Sequence, residues 1–287
     1  MAHVFVTGGS GYIGRALLAE LVGRGDTVSA LARSDAAAAV VREHGATPVS
    51  GDLTDLPLLR EAAARADAVI HLGAAGDDTA GVDLAAATAL QDGAGAKPYV
   101  HTGGLWVYGT TDGVADEDAP LRPPALTAWR VDNERQVLAR AATGGHPVLV
   151  MPAIVYGHAR GLVQSTLVDA ARGADAVQYP GDGANRWGLV HVEDVADLYV
   201  RALDSPAGQR YLAVTENLPV LDIATALSRA PGNPQRTESV SVEQFTERLG
   251  LLAEPLLLDQ QLTAARAREQ LGWSPTHTDA LDELARG

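Results

Sequence analysis

A triplet of glycines near the N-terminus constrains the fold of this chain more than any other sequence feature. Gly8, Gly11 and Gly14 follow a short apolar run at 4–6 and open a segment with helical periodicity. In such a strand–loop–helix, the first glycine permits a tight turn and the second lets a pyrophosphate approach the backbone. The third allows close packing of the helix on the strand. Free N–H groups at the helix start favour phosphate charge, so the triplet predicts a Rossmann-type dinucleotide-binding unit.

The first half of the chain alternates short apolar runs with alanine-rich helical segments. Strands are predicted at 4–6, 28–31, 47–49, 68–70, 99–101 and 147–150, and helices at about 12–24, 35–45, 55–65, 80–93 and 126–143. This alternation indicates βαβ units and therefore an α/β fold with a Rossmann doubly wound parallel sheet. We predict a dinucleotide-binding domain over 1–155. The mixed region over 156–287, with helices near 162–172 and 194–203, completes the sheet and forms a smaller C-terminal substrate lobe.

Charge and composition exclude several other kinds of partner. The 287 residues carry a formal net charge of −14, which repels nucleic acid and anionic membrane surfaces. The absence of cysteine excludes disulfides, thiolate metal sites and cysteine nucleophiles. No signal-peptide pattern and no apolar run of about 20 residues is present. We expect a cytoplasmic protein with a small-molecule substrate and, in the absence of a metal-ligand motif, no metal.

The end of the second predicted strand indicates which dinucleotide binds. NAD-selective sites place an acid there to accept hydrogen bonds from the ribose 2′-hydroxyl, whereas this chain has Ala32 and Arg33. An arginine binds a 2′-phosphate, so NADP(H) is predicted in preference to NAD(H). The alternative is that Arg33 is a solvated surface residue. After the third strand, Asp52 is expected either to accept from the adenine amino group or to cap the next helix.

Further motifs along the chain resemble those of the extended and atypical short-chain dehydrogenase/reductases, which include nucleotide-sugar epimerases and dehydratases. They lie at 7–14, 51–55, 71–75, 107–109, 152–157, 190–196 and 271–275. The resemblance implies a cofactor laid across the carboxyl ends of the strands, and a homodimer paired through helices such as 80–93 and 126–143. The cofactor-binding residues predicted on this basis are Gly8, Gly9, Ser10, Gly11, Tyr12, Ile13, Arg33, Ser34, Asp52, Leu53, Leu72, Gly73, Ala74, Thr102, Arg130, Pro152, Ile154 and Val155.

The chain departs from that family at its catalytic residues. The family uses a Tyr-x-x-x-Lys pair and a serine or threonine to transfer a proton, hold the ribose and orient the substrate. The only lysine here is Lys97, and the residue four positions before it is Gly93, so no such pair exists. Alignment with the family places Leu126, Arg130 and Gly104 at the tyrosine, lysine and hydroxyl positions. General acid–base help contributes about 10²–10⁴ in rate, so another group supplies it or the reaction differs.

Three residues are candidate replacements for the missing catalytic groups. Arg130 keeps the positive charge that would hold the nicotinamide ribose, although it stays protonated. Tyr108 follows the fifth strand, at the edge of the sheet where ligands bind, and Tyr156 follows the sixth. Each also has a structural interpretation, as a surface arginine or a packed tyrosine.

Four residues are predicted to face the substrate. Gly104 and Trp106 follow the fifth strand, while Arg186 and Trp187 lie in the second half of the chain. By the family resemblance, Arg186 meets a phosphate or carboxylate of the substrate. Trp187 forms either an apolar wall of the site or part of the core.

These features favour an NADP(H)-dependent oxidoreductase that acts on a small organic carbonyl or hydroxyl compound. Two alternatives stay open. One is a non-catalytic NADP(H)-binding redox sensor, which the missing catalytic residues favour and the substrate-lobe motifs oppose. The other is a non-redox isomerase, lyase or cyclase on the same fold.

Overall fold

Strands occur throughout the chain in a computed structural model, which describes residues 1–74, 79–171 and 173–287. In chain order they are β1 His3–Thr7, β2 Thr27–Ala32, β3 Thr47–Ser50, β4 Ala68–His71, β5 Pro98–Thr102, β6 Val114–Ala115, β7 His146–Pro152, β8 Ile154–Gly157, β9 Arg160–Gly161, β10 Val177–Pro180, β11 Arg186–His191, β12 Arg210–Ala213, β13 Glu216–Pro219, β14 Thr237–Val240 and β15 Gln261–Leu262.

Seven of these strands form a central parallel sheet in the order β3-β2-β1-β4-β5-β7-β12. Strand order reverses at β1, with β2 and β3 on one side and β4 and β5 on the other. Open α/β sheets bind ligands outside the carboxyl ends of the strands at such a switch point. The predicted α/β fold with a doubly wound parallel sheet is confirmed.

Helices cover both faces of this sheet, and others belong to the smaller lobe described below. In chain order the helices are α1 Tyr12–Gly23, α2 Asp35–Glu43, α3 Leu56–Arg65, α4 Thr79–Ala94, α5 Ala128–Ala139, α6 Leu162–Leu167, α7 Val192–Arg201, α8 Val220–Arg229, α9 Val242–Leu249, α10 Ala253–Leu256, α11 Ala265–Leu271 and α12 Ala280–Arg286. Val4 and Val6 of β1 pack in a core with α1 and α7, while Phe5 packs on the opposite face with α3 and α4. Since alternate residues of a strand point to opposite faces, this burial explains the continuous apolar run of β1. Among the described residues, no helix is long and apolar enough to cross a membrane.

Short polar side chains begin several of the helices. The Ser34 hydroxyl accepts from the Ala37 N–H at 3.2 Å and starts α2, and the Asp55 carboxylate accepts from the Leu58 N–H at 3.2 Å and starts α3. Such caps satisfy backbone donors that lack a partner within the helix. They place the first residues of α2 and α3 at the carboxyl edge of the sheet.

A smaller lobe packs around a second apolar core. Strands β13-β11-β8-β9 form a mixed sheet, in which β11 is parallel to β8 and antiparallel to β13. Residues of α6, α8, α9, α10 and α12 bury their apolar sides against this sheet. The division of the chain at residue 155 stays a prediction, because β12 of the central sheet comes from the second half.

The predicted helix boundaries hold within two residues for α1 to α4 and fail in two later places. The segment predicted as 126–143 is helical only over α5, with 3₁₀ turns at Ala125–Thr127 and Arg140–Thr143. The helix predicted at 162–172 ends at Leu167, Val168 follows as its C-cap with its N–H bonded to Gln164 O, and a 3₁₀ turn continues at Asp169–Ala171. Arg172 lies outside the described residues.

The single lysine of the chain has a structural position. Lys97 Nζ donates to the carbonyl oxygens of Ala63, Ala64 and Ala66 at 3.3, 2.8 and 2.6 Å. These carbonyls end α3, where the helix dipole favours a cation and the last carbonyls lack helical partners. Lys97 therefore caps α3 and joins it to the start of β5.

We expect Lys97→Met to lower the free energy of unfolding by about 1–2 kcal/mol, because the last turn of α3 loses a charge-assisted cap. Urea unfolding followed by circular dichroism measures this change. The matched control is Arg135→Met, which removes a side chain that is 75% exposed and paired with Asp132 on the surface of α5. Equal stability of the two variants would contradict the assigned cap.

Candidate active site

The glycine loop between β1 and α1 has the geometry that a diphosphate requires. Gly8 has φ +74°, and a Cβ there would lie 2.8 Å from the carbonyl carbon of Leu72. A Cβ at Gly14 would lie 2.1 Å from Gly8 O, so the loop and α1 touch without room for a side chain. Gly11 precedes α1 and no side chain caps the helix. The first N–H groups of α1 therefore face outward and can bind an anion.

A groove of about 550 Å³ extends from this loop towards the ends of β2 and β3. Arg33 lies exposed on its wall, directly after Ala32 and before the Ser34 cap. On the other wall, Asp52 Oδ1 accepts from the N–H and the hydroxyl of Thr54 at 2.7 and 2.6 Å. These hydrogen bonds lower the pKa of Asp52. The groove is therefore lined by a positively charged side chain at the end of β2, Arg33, and by an ionised carboxylate after β3, Asp52.

A second cavity, of about 710 Å³, lies next to the loop on the side of the smaller lobe. Tyr12, the first residue of α1, lines this cavity and donates from its hydroxyl to Gly157 O at 2.8 Å. The other lining residues are Thr79, Gly103, Gly104, Leu105, Trp106, Leu126, Thr127, Trp129, Arg130, Pro152, Ala153, Ile154, Val155, Gly161, Leu162, Ser165, Gly188 and Gln260. Within the described part of the chain, Arg130 contributes the only charged side chain to this wall.

Arg130 is held in place on α5 by two contacts. Its Nη1 donates to Thr102 O at 3.2 Å, and its guanidinium carbon lies 4.6 Å from the centre of the Trp129 ring. One turn further along α5, Glu134 lies buried beneath Gly103. Burial raises the pKa of Glu134 to about 7, although the charge of Arg130 opposes this shift. The positive charge of Arg130 therefore stands at the edge of the cavity nearest to β5.

The two candidate tyrosines lie away from this cavity. Tyr108 is buried in the main core, where its hydroxyl donates to Glu117 O at 3.3 Å, and burial raises its pKa to about 12. Tyr156 is buried in the core of the smaller lobe, and burial raises its pKa well above the usual value. Neither side chain is part of the cavity wall. The geometry gives both tyrosines a packing position.

The predicted substrate residues divide into two pairs. Gly104 and Trp106 line the cavity. Trp187 is only 2% exposed, and its indole Nε1 donates to Leu256 O at 2.8 Å, so it occupies the core position that was the alternative interpretation. Arg186 lies outside the cavity wall, with its Nη1 at 3.5 Å from Asp259 Oδ2.

The remaining predicted cofactor residues surround the two cavities. Ser10, Leu53, Leu72 and Ala74 line the groove, and Pro152, Ile154 and Val155 line the larger cavity. Four further residues are part of neither wall: Gly9, Ile13, Gly73 and Thr102. The Gly73 N–H donates to Thr7 Oγ1 at 3.1 Å, and Thr102 Oγ1 donates to His71 O at 2.8 Å.

Sequence reasoning missed several residues of the larger cavity. Thr127 is adjacent to Leu126 in the chain, and its buried hydroxyl has no hydrogen-bond partner among the described residues. Trp129 is adjacent to Arg130 in the chain. Thr127 and Trp129 could therefore have been found as neighbours of the two aligned residues, Leu126 and Arg130. Gln260 carries no such signal, because a segment after α10 brings it to the cavity. There its Nε2 donates to Leu105 O and Gly109 O at 3.0 and 2.9 Å.

Comparison with known proteins relates this geometry to one family. Residues 4–213 match the model of the NAD dependent epimerase/dehydratase family. An uncharacterized protein of Schizosaccharomyces pombe is 30% identical over 293 residues, which cover 99% of this chain and 98% of that protein. A 4-hydroxy-2-methyl-3-oxo-4-farnesyl-3,4-dihydroquinoline-1-oxide ketoreductase of Stigmatella aurantiaca is 32% identical over 233 residues, which cover 76% of this chain and 69% of that enzyme.

Solved structures agree with the fold. A UDP-glucose-4-epimerase from Stenotrophomonas maltophila, with bound NAD and formylated UDP-arabinopyranose, has a TM-score of 0.81 and 23% sequence identity. The superposition covers 99% of this chain and 96% of that one. With a family match over most of its length and a relative that is 30% identical from end to end, the chain belongs to the NAD dependent epimerase/dehydratase family.

Proposed function

We propose that this chain is an NADP(H)-dependent oxidoreductase that acts on a small, largely apolar carbonyl or hydroxyl compound. The observation that carries the proposal is the junction at Tyr12. Gly11, at the end of the glycine loop, lines the groove, and the next residue lines the apolar cavity. A dinucleotide whose diphosphate lies on the loop therefore has space for one end beside Arg33 and for the other beside Arg130.

The residues present fit such a cofactor. The glycine loop and the uncapped start of α1 would hold the diphosphate, and Arg33 would hold a 2′-phosphate. Arg130 would face the ribose on the cavity side. When bound, the dinucleotide supplies a hydride donor or acceptor. The protein's contribution is to orient the substrate, exclude water and provide the proton.

The wall of the cavity favours an apolar substrate. Trp106, Leu126, Trp129, Ile154 and Leu162 present carbon surfaces, and the charge of Arg130 is adjacent to the proposed cofactor position. A nucleotide-sugar substrate would bring a second diphosphate, whose charges need charged or hydrogen-bonding partners on burial. The relative from Stigmatella aurantiaca is named as a ketoreductase of a farnesyl-substituted ring compound, which supports the same substrate class.

Thr127 is the group that we assign to the substrate oxygen. Reduction of a carbonyl adds a proton to that oxygen, and Leu126 has no proton to give. The unpaired hydroxyl of Thr127 lies in the next position along the same wall. It would donate a hydrogen bond to the substrate oxygen as negative charge develops there, and a water molecule would supply the proton that this oxygen takes up. Thr79 on the same wall also has an interaction partner, and the hydroxyls of Tyr12 and Ser165 donate to Gly157 O and to Leu162 O.

A turnover screen tests the proposed function. Purified protein is incubated with NADPH and a panel of aryl and alkyl ketones, with UDP-glucose as the polar comparison, and products are analysed by mass spectrometry. We expect NADPH oxidation and a gain of two hydrogens with apolar ketones. Tight NADPH binding without turnover on the panel would indicate a redox sensor, and a product of unchanged mass would indicate an isomerase. Either result would contradict the proposal.

We expect Arg33→Gln to weaken NADPH binding about 10–100-fold and to change NADH binding by less than about twofold, because only the former carries a 2′-phosphate. Fluorescence titration with each nucleotide measures both dissociation constants. Arg42→Gln is the matched control, since Arg42 is an exposed arginine in the last turn of α2. A parallel loss of affinity for both nucleotides would argue against recognition of the 2′-phosphate.

We expect Thr127→Val to lower kcat/KM for ketone reduction about 10–100-fold, because the substrate oxygen loses its hydrogen-bond donor. Binding of NADPH should change by less than about twofold, because the glycine loop and Arg33, which would hold the phosphates, lie in the groove and away from Thr127. Ser165→Ala serves as the control, since it removes a hydroxyl from the same cavity whose hydrogen bond is made within α6. Unchanged kcat/KM in the Thr127 variant would remove that residue from the mechanism.

A further inference from the structure

Three side chains that commonly bind metals meet beneath the carboxyl edge of the central sheet. His71 is the last residue of β4 and pairs in register with His101 of β5, so both side chains project from the same face of the sheet. Asp83 of α4 packs over this face. Both histidines are 1% exposed and Asp83 is 7% exposed. This His71–Asp83–His101 group is separate from the walls of the groove and of the larger cavity.

The facing atoms of the group are too far apart for direct hydrogen bonds. His71 Nε2 lies 3.7 Å from Asp83 Oδ1, and His101 Nε2 lies 3.8 Å from Asp83 Oδ2. Neither Nε2 atom has a hydrogen-bond partner in the described part of the chain. Buried polar atoms without partners are rare in folded proteins and call for an explanation.

A metal ion would account for these separations. An ion about 2.1 Å from each of three ligand atoms, at tetrahedral to trigonal angles, holds those atoms roughly 3.4–3.6 Å apart. The two histidine-to-carboxylate distances exceed this range by only a few tenths of an ångström. Potential ligand atoms of all three residues lie within 4.8 Å of one another, as a single ion requires.

Each of the three side chains also has a hydrogen-bond partner outside the group, and for both histidines that partner is on Nδ1, the ring nitrogen that does not face Asp83. Thr7 Oγ1 lies 2.5 Å from His71 Nδ1, and the Tyr99 hydroxyl lies 2.8 Å from His101 Nδ1. Asn133 Nδ2 donates to Asp83 Oδ2 at 2.9 Å. Metal-binding histidines and carboxylates characteristically have such partners, which orient the ring and the carboxylate towards the ion.

A second cluster in the same chain shows what a hydrogen-bonded arrangement looks like. His191 and His277 also lie near a carboxylate, that of Asp194. There, His191 Nε2 lies 3.1 Å from a Glu283 oxygen and His191 Nδ1 accepts from the Glu193 N–H. Both ring nitrogens of His191 therefore have polar partners in the protein. By contrast, the Nε2 atoms of His71 and His101, which face Asp83, have no hydrogen-bond partner among the described residues.

We propose that His71, Asp83 and His101 bind one divalent transition-metal ion, with Zn²⁺ the best match to two imidazoles and a carboxylate. The ion would join β4, β5 and α4 directly behind the residues that face the cofactor. Leu72 and Thr102, which follow the two histidines, stand at the proposed cofactor site. The site is structural, and it is independent of the oxidoreductase reaction.

Metal analysis of the untagged, full-length protein tests this proposal. The protein is refolded with Zn²⁺, passed over a chelating resin to remove loosely held ions, and analysed by inductively coupled plasma mass spectrometry. We expect about one Zn²⁺ per chain in the wild type and a loss of most of it in Asp83→Asn and in His101→Gln. His277→Gln is the matched control, and it should keep the ion.

The partner of a ligand gives a sharper readout than the ligand itself. Tyr99→Phe removes only the hydroxyl that faces His101 Nδ1, and we expect it to weaken Zn²⁺ affinity about 10–100-fold. Binding is measured by competition with a chromophoric chelator, and near-ultraviolet circular dichroism reports whether each variant keeps its tertiary structure. A wild type that holds no stoichiometric Zn²⁺, Co²⁺, Fe²⁺, Mn²⁺ or Ni²⁺ after refolding would overturn the proposal. A folded Asp83→Asn variant with the same Zn²⁺ content as the wild type would also overturn it. The two imidazoles and the carboxylate would then form an ordinary polar contact.

Discussion

The close contact between the glycine loop and α1 is the constraint on which the rest of the structure depends. Because Gly14 has no side chain, α1 packs directly against the carbonyl of Gly8, and its first N–H groups stand at the switch point of the sheet. The same placement turns Tyr12 towards the smaller lobe, where its hydroxyl binds Gly157 O. One backbone contact thus fixes the proposed phosphate site and one wall of the larger cavity.

The phosphate loop of the candidate site matches the family's sequence pattern more fully than the opposite wall of the larger cavity does. The loop has the close glycine contacts of a dinucleotide-binding turn, whereas Leu126 stands where the alignment predicts the family's tyrosine. Arg130 keeps a positive charge, fixed by Thr102 O and by the Trp129 ring. Leu126 and Trp129 both give this wall a carbon surface. This contrast between the loop and the opposite wall is the basis of the proposed apolar substrate.

Much of the fold could be predicted, because the strands of the first half are buried on both faces and read as apolar runs. The glycine loop and the absence of a Tyr-x-x-x-Lys pair were equally visible. The positions of Trp187 and Gln260 could not be predicted, since each depends on contacts with segments distant in the chain. For the same reason the spacing of His71, Asp83 and His101 shows no motif: a strand, a helix and a neighbouring strand bring them together only after folding.

The edge strand β12 has a consequence for how the chain reaches this structure. Arg210–Ala213 pairs with β7, which supplies some of the most deeply buried residues of the main core. During synthesis, β7 leaves the ribosome with one side of its backbone unpaired, and it stays so until more than fifty further residues have been added. An unpaired hydrophobic edge is a site for association between chains. Until β12 pairs with it, β7 therefore presents an open hydrophobic edge that the folded sheet covers.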